Sequence, residues 1–103
     1  MSYSITWTPE ALTTFEDRIT YLKVNWTEKE IVNFKKRVSE YLKVLETEPL
    51  IGKRPGKFKN VYMGLILKQV SLIYRVKILT KEIELISFID NRQNPKRIRK
   101  YKL

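Results

Sequence analysis

The order of the sequence patterns predicts an α+β domain with a mainly antiparallel four-stranded sheet. A short alternating segment is followed by two helical patterns, and then by three segments rich in β-branched and aromatic residues. Strands and helices are therefore segregated along the chain as strand, helix, helix, strand, strand, strand. At 103 residues, the chain is expected to form a single domain over residues 1–103, with a basic tail at 95–103.

The first strand and first helix follow from residues 3–26. Residues 3–7 alternate apolar and polar side chains, as a half-buried strand does. Thr8 suits the N-cap of a helix and Pro9 suits its first position, so a helix is expected from residue 9 to about residue 24. Its apolar stripe is predicted to consist of Leu12, Phe15, Ile19, Leu22 and Trp26.

A second helix is predicted to start after Thr27, because Thr27 and Glu30 have the spacing of a capping box. Pro49 and the segment 52–56, with two glycines and a proline, end it. The short corner between the helices makes them an antiparallel hairpin that covers one face of the sheet. The second apolar stripe is predicted to consist of Ile31, Phe34, Val38, Tyr41, Leu42 and Leu45.

The remaining strands are predicted at 61–67, 70–79 and 83–89, joined as a meander. A two-residue turn at Thr80 and Lys81 predicts the pairs Leu79–Glu82, Lys77–Glu84, Arg75–Ile86 and Ser71–Asp90. On the middle strand, the residues expected beneath the helices are Val70, Leu72, Tyr74, Val76 and Ile78. Those expected on the largely uncovered face are Ser71, Ile73, Arg75 and Lys77.

Positive charge is concentrated in the second half of the chain. The net charge is +10; residues 1–48 carry 7 basic and 8 acidic side chains, whereas residues 49–103 carry 14 basic and 3 acidic ones. A one-sided basic field attracts anionic partners such as nucleic acid, the ribosome or an acidic protein segment. A Lys-rich surface that serves only solubility is the alternative.

Several function classes are excluded by composition. The chain contains no Cys and no His, which excludes disulfide scaffolds, Cys/His zinc sites and histidine-based catalysis. No Gly-rich phosphate loop, metal-ligand spacing or helix-turn-helix pattern occurs. We therefore expect no cofactor, no metal and no direct sequence-specific DNA binding. Without a membrane-length apolar run or a signal-peptide pattern, the expected location is the cytoplasm, with no membrane partner.

Basic side chains are the candidate site residues. An anion- or target-binding role is predicted for Arg75, Lys77, Arg92, Lys53, Arg54, Lys96 and Arg97. If the chain cuts RNA, the candidate catalytic residues are Arg92, Arg75 and Tyr101, because Arg can stabilise a phosphate transition state and Tyr can transfer a proton. For Arg75, an ion pair with Glu84 on the neighbouring strand is the competing interpretation.

Three segments resemble the RelE/ParE superfamily of toxins from type II toxin–antitoxin systems, also called plasmid stabilisation proteins. They are residues 7–11 (WTPEA), residues 73–76 (IYRV) and, most specifically, residues 88–95 (FIDNRQNP). The resemblance covers nearly the whole chain. It implies a cytoplasmic bacterial toxin, held inactive by an antitoxin whose C-terminal segment wraps the helical hairpin and the sheet.

The resemblance leaves two branches open. RelE-like members cut mRNA in the ribosomal A site, using paired lysines on the second strand, an Arg on the third, an Arg after the fourth and a C-terminal Tyr or His. Matching this pattern places Tyr62 and Gly64 at the lysines and Ser71 at the third-strand Arg; Arg92 matches, and Tyr101 matches loosely. This favours the ParE-like branch, whose members inhibit DNA gyrase by binding.

Two alternatives stay open alongside a toxin that acts by binding. One is a ribosome-dependent mRNA endoribonuclease whose basic groups have moved to Lys57, Lys59, Arg75 and Arg92. The other is a basic binding module that keeps the toxin fold without toxicity.

Overall fold

The computed structural model describes residues 2–25 and 27–91. The elements follow the predicted order: β1 (Ser4–Trp7), α1 (Pro9–Asn25), α2 (Glu28–Thr47), β2 (Val61–Leu67), β3 (Val70–Lys77) and β4 (Glu82–Asp90). The strands form one sheet in the order β1-β4-β3-β2. Strand β1 runs parallel to β4, and the other neighbours are antiparallel. The sheet is thus mixed but mainly antiparallel, and the α+β prediction is confirmed.

Threonine side chains cap the N-termini of both helices, as the sequence predicts. The Thr8 hydroxyl accepts a hydrogen bond from the Ala11 N–H at 3.1 Å and donates one to the Leu85 carbonyl at 2.7 Å. It therefore caps α1 and fastens it to β4. The Thr27 hydroxyl and the Glu30 side chain form the reciprocal capping box of α2.

An aromatic cluster joins the two helices to the inner face of the sheet. The rings of Phe15 and Phe34 stack with centroids 5.5 Å apart, and Phe88 lies 5.3 Å from Phe15. Trp7 on β1 lies 5.6 Å from Phe88. Because each large ring removes apolar area from water, this cluster forms the centre of the core.

The stripe predicted for α1 is wrong in part. Leu12 is 48% exposed, whereas Thr14 and Arg18 are buried between α1 and the sheet. The buried face of α1 is rotated relative to the predicted apolar stripe, because the side chains of Thr14 and Arg18 have partners on β4. Trp26, the last predicted member of the stripe, lies outside the described residues.

Polar contacts attach α1 to the edge of β4. Strand β1 pairs with β4 only as far as Leu85, so the rest of this edge needs other partners. The Thr14 hydroxyl accepts a hydrogen bond from the Phe88 N–H at 2.9 Å. Arg18 Nη1 lies 3.2 Å from Asp90 Oδ2, and these side chains are 10% and 3% exposed. Helix α1 therefore completes the edge that β1 leaves open.

The predicted turn between β3 and β4 is also wrong. Strand β3 ends at Lys77, and residues 78–81 form a four-residue connection closed by a hydrogen bond from the Lys81 N–H to the Ile78 carbonyl, with φ of 55° at Lys81. Lys77 therefore pairs with Glu82, and Arg75 with Glu84. Beyond the bulge at Ile86, Ser71 pairs with Ile89 rather than with Asp90.

The longer connection also exposes the end of the predicted third strand. Ile78, expected beneath the helices, is 51% exposed, and Leu79 is fully exposed.

The outer face of the sheet, opposite the helices, is less open than predicted. Ser71 and Ile73 were expected on a largely uncovered face, but both are buried. Ile73 forms a second apolar cluster with Val61 and Ile89, which Met63 and Ile86 contact. Alternation on β2 and β4 places apolar side chains on both faces of the sheet. The outer face is therefore apolar around Ile73 and charged around Arg75 and Lys77.

We predict that Asp90→Ala lowers the free energy of unfolding by about 3 kcal/mol, because it removes the carboxylate from a buried guanidinium. Urea denaturation measures the change. Glu84→Ala, in a half-exposed ion pair, is the matched control and changes stability little. Equal decreases in the free energy of unfolding of the two variants would contradict a larger contribution from the buried Arg18–Asp90 pair.

Candidate functional site

The predicted anion-binding pair on β3 already holds carboxylates of its own chain. Arg75 Nε lies 3.7 Å from Glu84, and Lys77 Nζ lies 3.4 Å from Glu82 and 3.6 Å from Glu84. Thr6 donates a hydrogen bond to Glu82 at 2.8 Å, and this bond, together with Lys77, lowers the pKa of the Glu82 carboxyl. The two cations and two anions balance, so this patch is not a concentrated positive field.

Within the described residues, the unbalanced positive charge is concentrated in the loop between α2 and β2. We call residues 53–59 the basic arch; its exposed cations are Lys53, Arg54, Lys57 and Lys59. The sequence contains no acidic residue between Glu48 and Glu82. Among the described residues, no carboxylate lies within 4 Å of the charged groups of the arch. These cations are therefore available to an anionic partner.

Both ends of the basic arch are fixed to the sheet. At the start, Lys53 exchanges two backbone hydrogen bonds with Met63, of 2.8 and 2.6 Å, and the Gly52 N–H donates to the Tyr74 hydroxyl at 3.0 Å. At the end, the Asn60 carbonyl accepts from the Val76 N–H, and Asn60 has φ of 64°. An anchored loop loses less conformational entropy on binding than a free one.

Two cavities border the free edge of β2. The larger, about 440 Å³, is lined by Tyr41, Ile51, Gly52, Lys53, Met63, Gly64, Leu65, Ser71 and Asn91. The smaller, about 180 Å³, is lined by Arg37, Glu40, Tyr41, Val44, Leu65 and Ile66. Lys53 is the one charged residue lining the larger cavity within the described part of the chain.

The three described positions that align with the nuclease pattern, Tyr62, Gly64 and Ser71, do not lie on one face of the sheet. Ser71 lies on the outer face, whereas Tyr62 and Gly64 lie on the inner face, where Tyr62 stacks on Tyr74 with centroids 5.9 Å apart. The outer-face neighbours of Ser71 on β2 are Met63 and Leu65, both apolar. Within residues 61–67, β2 thus places no charged side chain beside Ser71.

At two glycines that line the larger cavity, a tyrosine side chain lies in close contact, and the sequence patterns did not predict these contacts. The Tyr41 ring lies directly over Gly64, and the Tyr74 hydroxyl lies against Gly52. Burial raises the pKa of both Tyr41 and Tyr74, and the hydrogen bond to Tyr41 raises that of Tyr74 further. An isolated glycine inside a strand pattern, as at residue 64, was the available signal for such a close approach.

Strand β4 ends beside the larger cavity. The Asn91 N–H donates to the Gln69 carbonyl at 2.7 Å, and the Asn91 side chain bonds to Ser71 and to the Lys68 carbonyl. Asn91 therefore holds the end of β4 against the turn between β2 and β3. Arg92, Lys96, Arg97 and Tyr101 lie outside the described residues, and their predicted roles stay predictions.

Among residues 2–25 and 27–91, no helix is both long enough and apolar enough to cross a membrane. The same residues contain no group of three or more Asp, Glu, His or Cys side chains that could hold a metal ion.

Solved structures share this fold. A chromosomal ParDE toxin–antitoxin system from P. aeruginosa superimposes with a TM-score of 0.67 at 22% identity, over 86% of this chain and 96% of the other. The isolated E. coli RelE toxin gives 0.59 at 17% identity, over 96% and 95%. The YoeB dimer from Staphylococcus aureus gives 0.59 at 25% identity, over 86% and 97%.

No protein-family model and no curated protein matches the sequence. The structural similarity nevertheless spans nearly the whole of each chain. The protein therefore has the fold of the RelE/ParE toxins, as the sequence resemblance implied.

We predict that Gly64→Ala lowers the free energy of unfolding by about 2 kcal/mol, because the added Cβ would overlap the Tyr41 hydroxyl and ring. Chemical denaturation measures the loss. The double variant Gly64→Ala/Tyr41→Ala should lose less than the sum of its two single variants, since removing the ring makes room. Strict additivity would contradict the contact.

Stability is also expected to fall at alkaline pH. In the unfolded chain tyrosine ionises near pH 10, whereas the folded state keeps Tyr41 and Tyr74 protonated at that pH. Their contribution to stability is complete below about pH 10 and is lost as the pH rises further. Urea denaturation in a pH series measures this, and Tyr74→Phe should flatten the decline. An unchanged decline in that variant would contradict the assignment.

Proposed function

We propose that this protein is the toxin of a bacterial type II toxin–antitoxin system, is neutralised by a cognate antitoxin, and acts by binding its target. The fold supports the first two parts of this proposal. Toxin–antitoxin complexes are among the structurally similar proteins, including the RelE–RelB complex from Pyrococcus horikoshii OT3, with a TM-score of 0.61 at 14% identity over 91% of this chain.

The apolar surroundings of Ser71 favour a toxin that acts by binding its target over one that cuts RNA. A ribonuclease without histidine needs several cations around one phosphate. Met63 and Leu65 flank Ser71 on β2, and the cations of β3 are neutralised by Glu82 and Glu84. Such a surface suits contact with a protein, because buried apolar area supplies its affinity. DNA gyrase, the target of ParE-like toxins, is the target that we propose.

Controlled expression tests this proposal. Induction of the wild-type chain should stop growth, leave translation intact and raise DNA-damage signalling. The purified protein should inhibit gyrase in a supercoiling assay, with heat-denatured protein as the control. Growth arrest without any effect on supercoiling would refute gyrase as the target, and the absence of growth arrest would refute the toxin proposal.

The basic arch favours a second candidate, the ribosome-dependent endoribonuclease. Four exposed cations within seven residues, with Phe58 40% exposed among them, could hold a polynucleotide by phosphate contacts and base stacking. On this alternative, Arg92 would supply the charge at the scissile phosphate. It requires that residues beyond Asn91 bring catalytic groups to the cavity.

We predict that the basic arch is the main polyanion-binding surface among the described residues. Lys57→Gln/Lys59→Gln should weaken binding to a single-stranded RNA oligonucleotide and reduce the dependence of log affinity on log salt by about 1.4. Lys29→Gln/Lys35→Gln on α2 carries the same charge change at exposed positions and is the matched control. Fluorescence anisotropy across a salt series measures both slopes. Equal effects would show that only net charge matters.

A further inference from the structure

Two loops lie at the same end of the sheet. Antiparallel pairing places the start of β2 beside the end of β3, where Val61 pairs with Arg75. One residue further out, the Asn60 carbonyl accepts a hydrogen bond from the Val76 N–H. The basic arch leads into Asn60, and the connection at 78–81 follows β3. The last residues of the arch and the connection therefore share this end of the sheet.

Large apolar side chains are exposed on both loops. Leu79 is fully exposed and Ile78 is 51% exposed in the connection, and Phe58 is 40% exposed in the arch. The connection is held in place, because the Lys81 N–H donates to the Ile78 carbonyl at 3.3 Å and the Lys81 carbonyl accepts from the Ser4 N–H at 3.0 Å. The fold thus keeps apolar side chains in contact with water, and contact with an apolar phase would remove that unfavourable exposure.

Exposed lysines surround these apolar side chains. Lys57 and Lys59 flank Phe58, and Lys81 lies two residues after Leu79. Among residues 2–25 and 27–91, no carboxylate lies within 4 Å of the ammonium groups of these lysines. The sheet-end patch is our name for the six residues Lys57, Phe58, Lys59, Ile78, Leu79 and Lys81.

This combination suits an anionic membrane surface better than a protein or a nucleic acid. The cores of protein interfaces are depleted in lysine. At a membrane surface, by contrast, lysine stems lie along apolar groups while the ammonium reaches the phosphate head groups. Aliphatic side chains such as Ile78 and Leu79 cannot stack on bases, so a polynucleotide would leave them in water. An anionic bilayer accommodates both kinds of side chain together.

We propose that the sheet-end patch binds the surface of an anionic lipid bilayer, with its apolar side chains at the acyl boundary and its lysines among the head groups. The proposal goes beyond the proposed function. It also departs from the expectation of no membrane partner, which depended on the absence of a membrane-length apolar run; a peripheral contact needs no such run. The nearby carboxylate of Glu82 is already held by Thr6 and Lys77.

Sedimentation with lipid vesicles tests the apolar contribution. The purified chain should bind vesicles of phosphatidylcholine and phosphatidylglycerol in equal parts, and Leu79→Ser should lower the partition coefficient about tenfold. Val24→Ser is the matched control, because Val24 is 80% exposed on α1 outside the patch. Urea denaturation checks that both variants keep wild-type stability. No binding by the wild type, or equal binding by Leu79→Ser, would overturn the proposal.

The charge contribution is tested on the same vesicles. Lys57→Gln/Lys59→Gln should lower the partition coefficient by about tenfold or more, whereas Lys29→Gln/Lys35→Gln, with the same net charge, should lower it less. Vesicles of phosphatidylcholine alone should bind the wild type weakly. Equal binding to neutral and anionic vesicles, or equal effects of the two double variants, would contradict recognition of head groups by the patch.

Tryptophan fluorescence tests whether the connection enters the bilayer. The emission of Leu79→Trp should shift to shorter wavelength on anionic vesicles, because the indole leaves water. The emission of Val24→Trp should not shift, and the tryptophans of the native sequence contribute equally to both variants. An unchanged emission of Leu79→Trp in the presence of vesicles would place residue 79 in water and overturn insertion.

The other two partner classes give different outcomes. Leu79→Ser should keep wild-type affinity for a single-stranded RNA oligonucleotide; a parallel loss on RNA and vesicles would overturn a lipid-specific role. Absence of vesicle binding, together with loss of growth arrest in Leu79→Ser, would assign the patch to a protein target and leave the toxin proposal intact. Vesicle binding by a chain that causes no growth arrest would support the patch and refute toxicity.

Discussion

The attachment of α1 to β4 determines how the rest of the molecule is arranged. Strand β1 covers only the first part of the β4 edge, and α1 covers the remainder with Thr14 and with the buried Arg18–Asp90 pair. These contacts fix the rotation of α1, which places Phe15 against Phe34 and Phe88. They also fix the end of β4, after which Asn91 lines the larger cavity. A buried ion pair is a weak source of net stability, but it disfavours other registers in which one charge would be left unpaired.

Patterns of apolar residues and caps were enough to predict the order of elements, the capping box at Thr27 and the mainly antiparallel sheet. The same patterns gave a wrong buried face for α1, where polar residues are part of the core. Thr14 and Arg18 interrupt the apolar stripe of α1, and their partners on β4 are more than 70 residues away in the chain. The prediction of the turn after Lys77 was wrong for another reason. Lys81 adopts a left-handed conformation that its residue type does not favour.

The candidate site was harder to predict than the fold. Net charge along the chain indicated a basic second half, and the arch at residues 53–59 carries much of it in the described structure. The charge count could not show that Glu82 and Glu84 neutralise Arg75 and Lys77. The strand patterns did predict the Arg75–Glu84 ion pair, which the structure confirms, although the predicted register was wrong. The larger cavity is bordered by the contact of Tyr41 with Gly64, between residues that only the packing of α2 on β2 brings together. Strand register and helix packing therefore determine which cations are free.

Adding the purified protein to a ribosome-containing translation reaction and mapping message ends by primer extension tests the central claim most directly. A toxin that acts by binding leaves the messages intact and translation normal, and we expect that result. New message ends that appear only with ribosomes would contradict it. They would support the ribosome-dependent endoribonuclease instead.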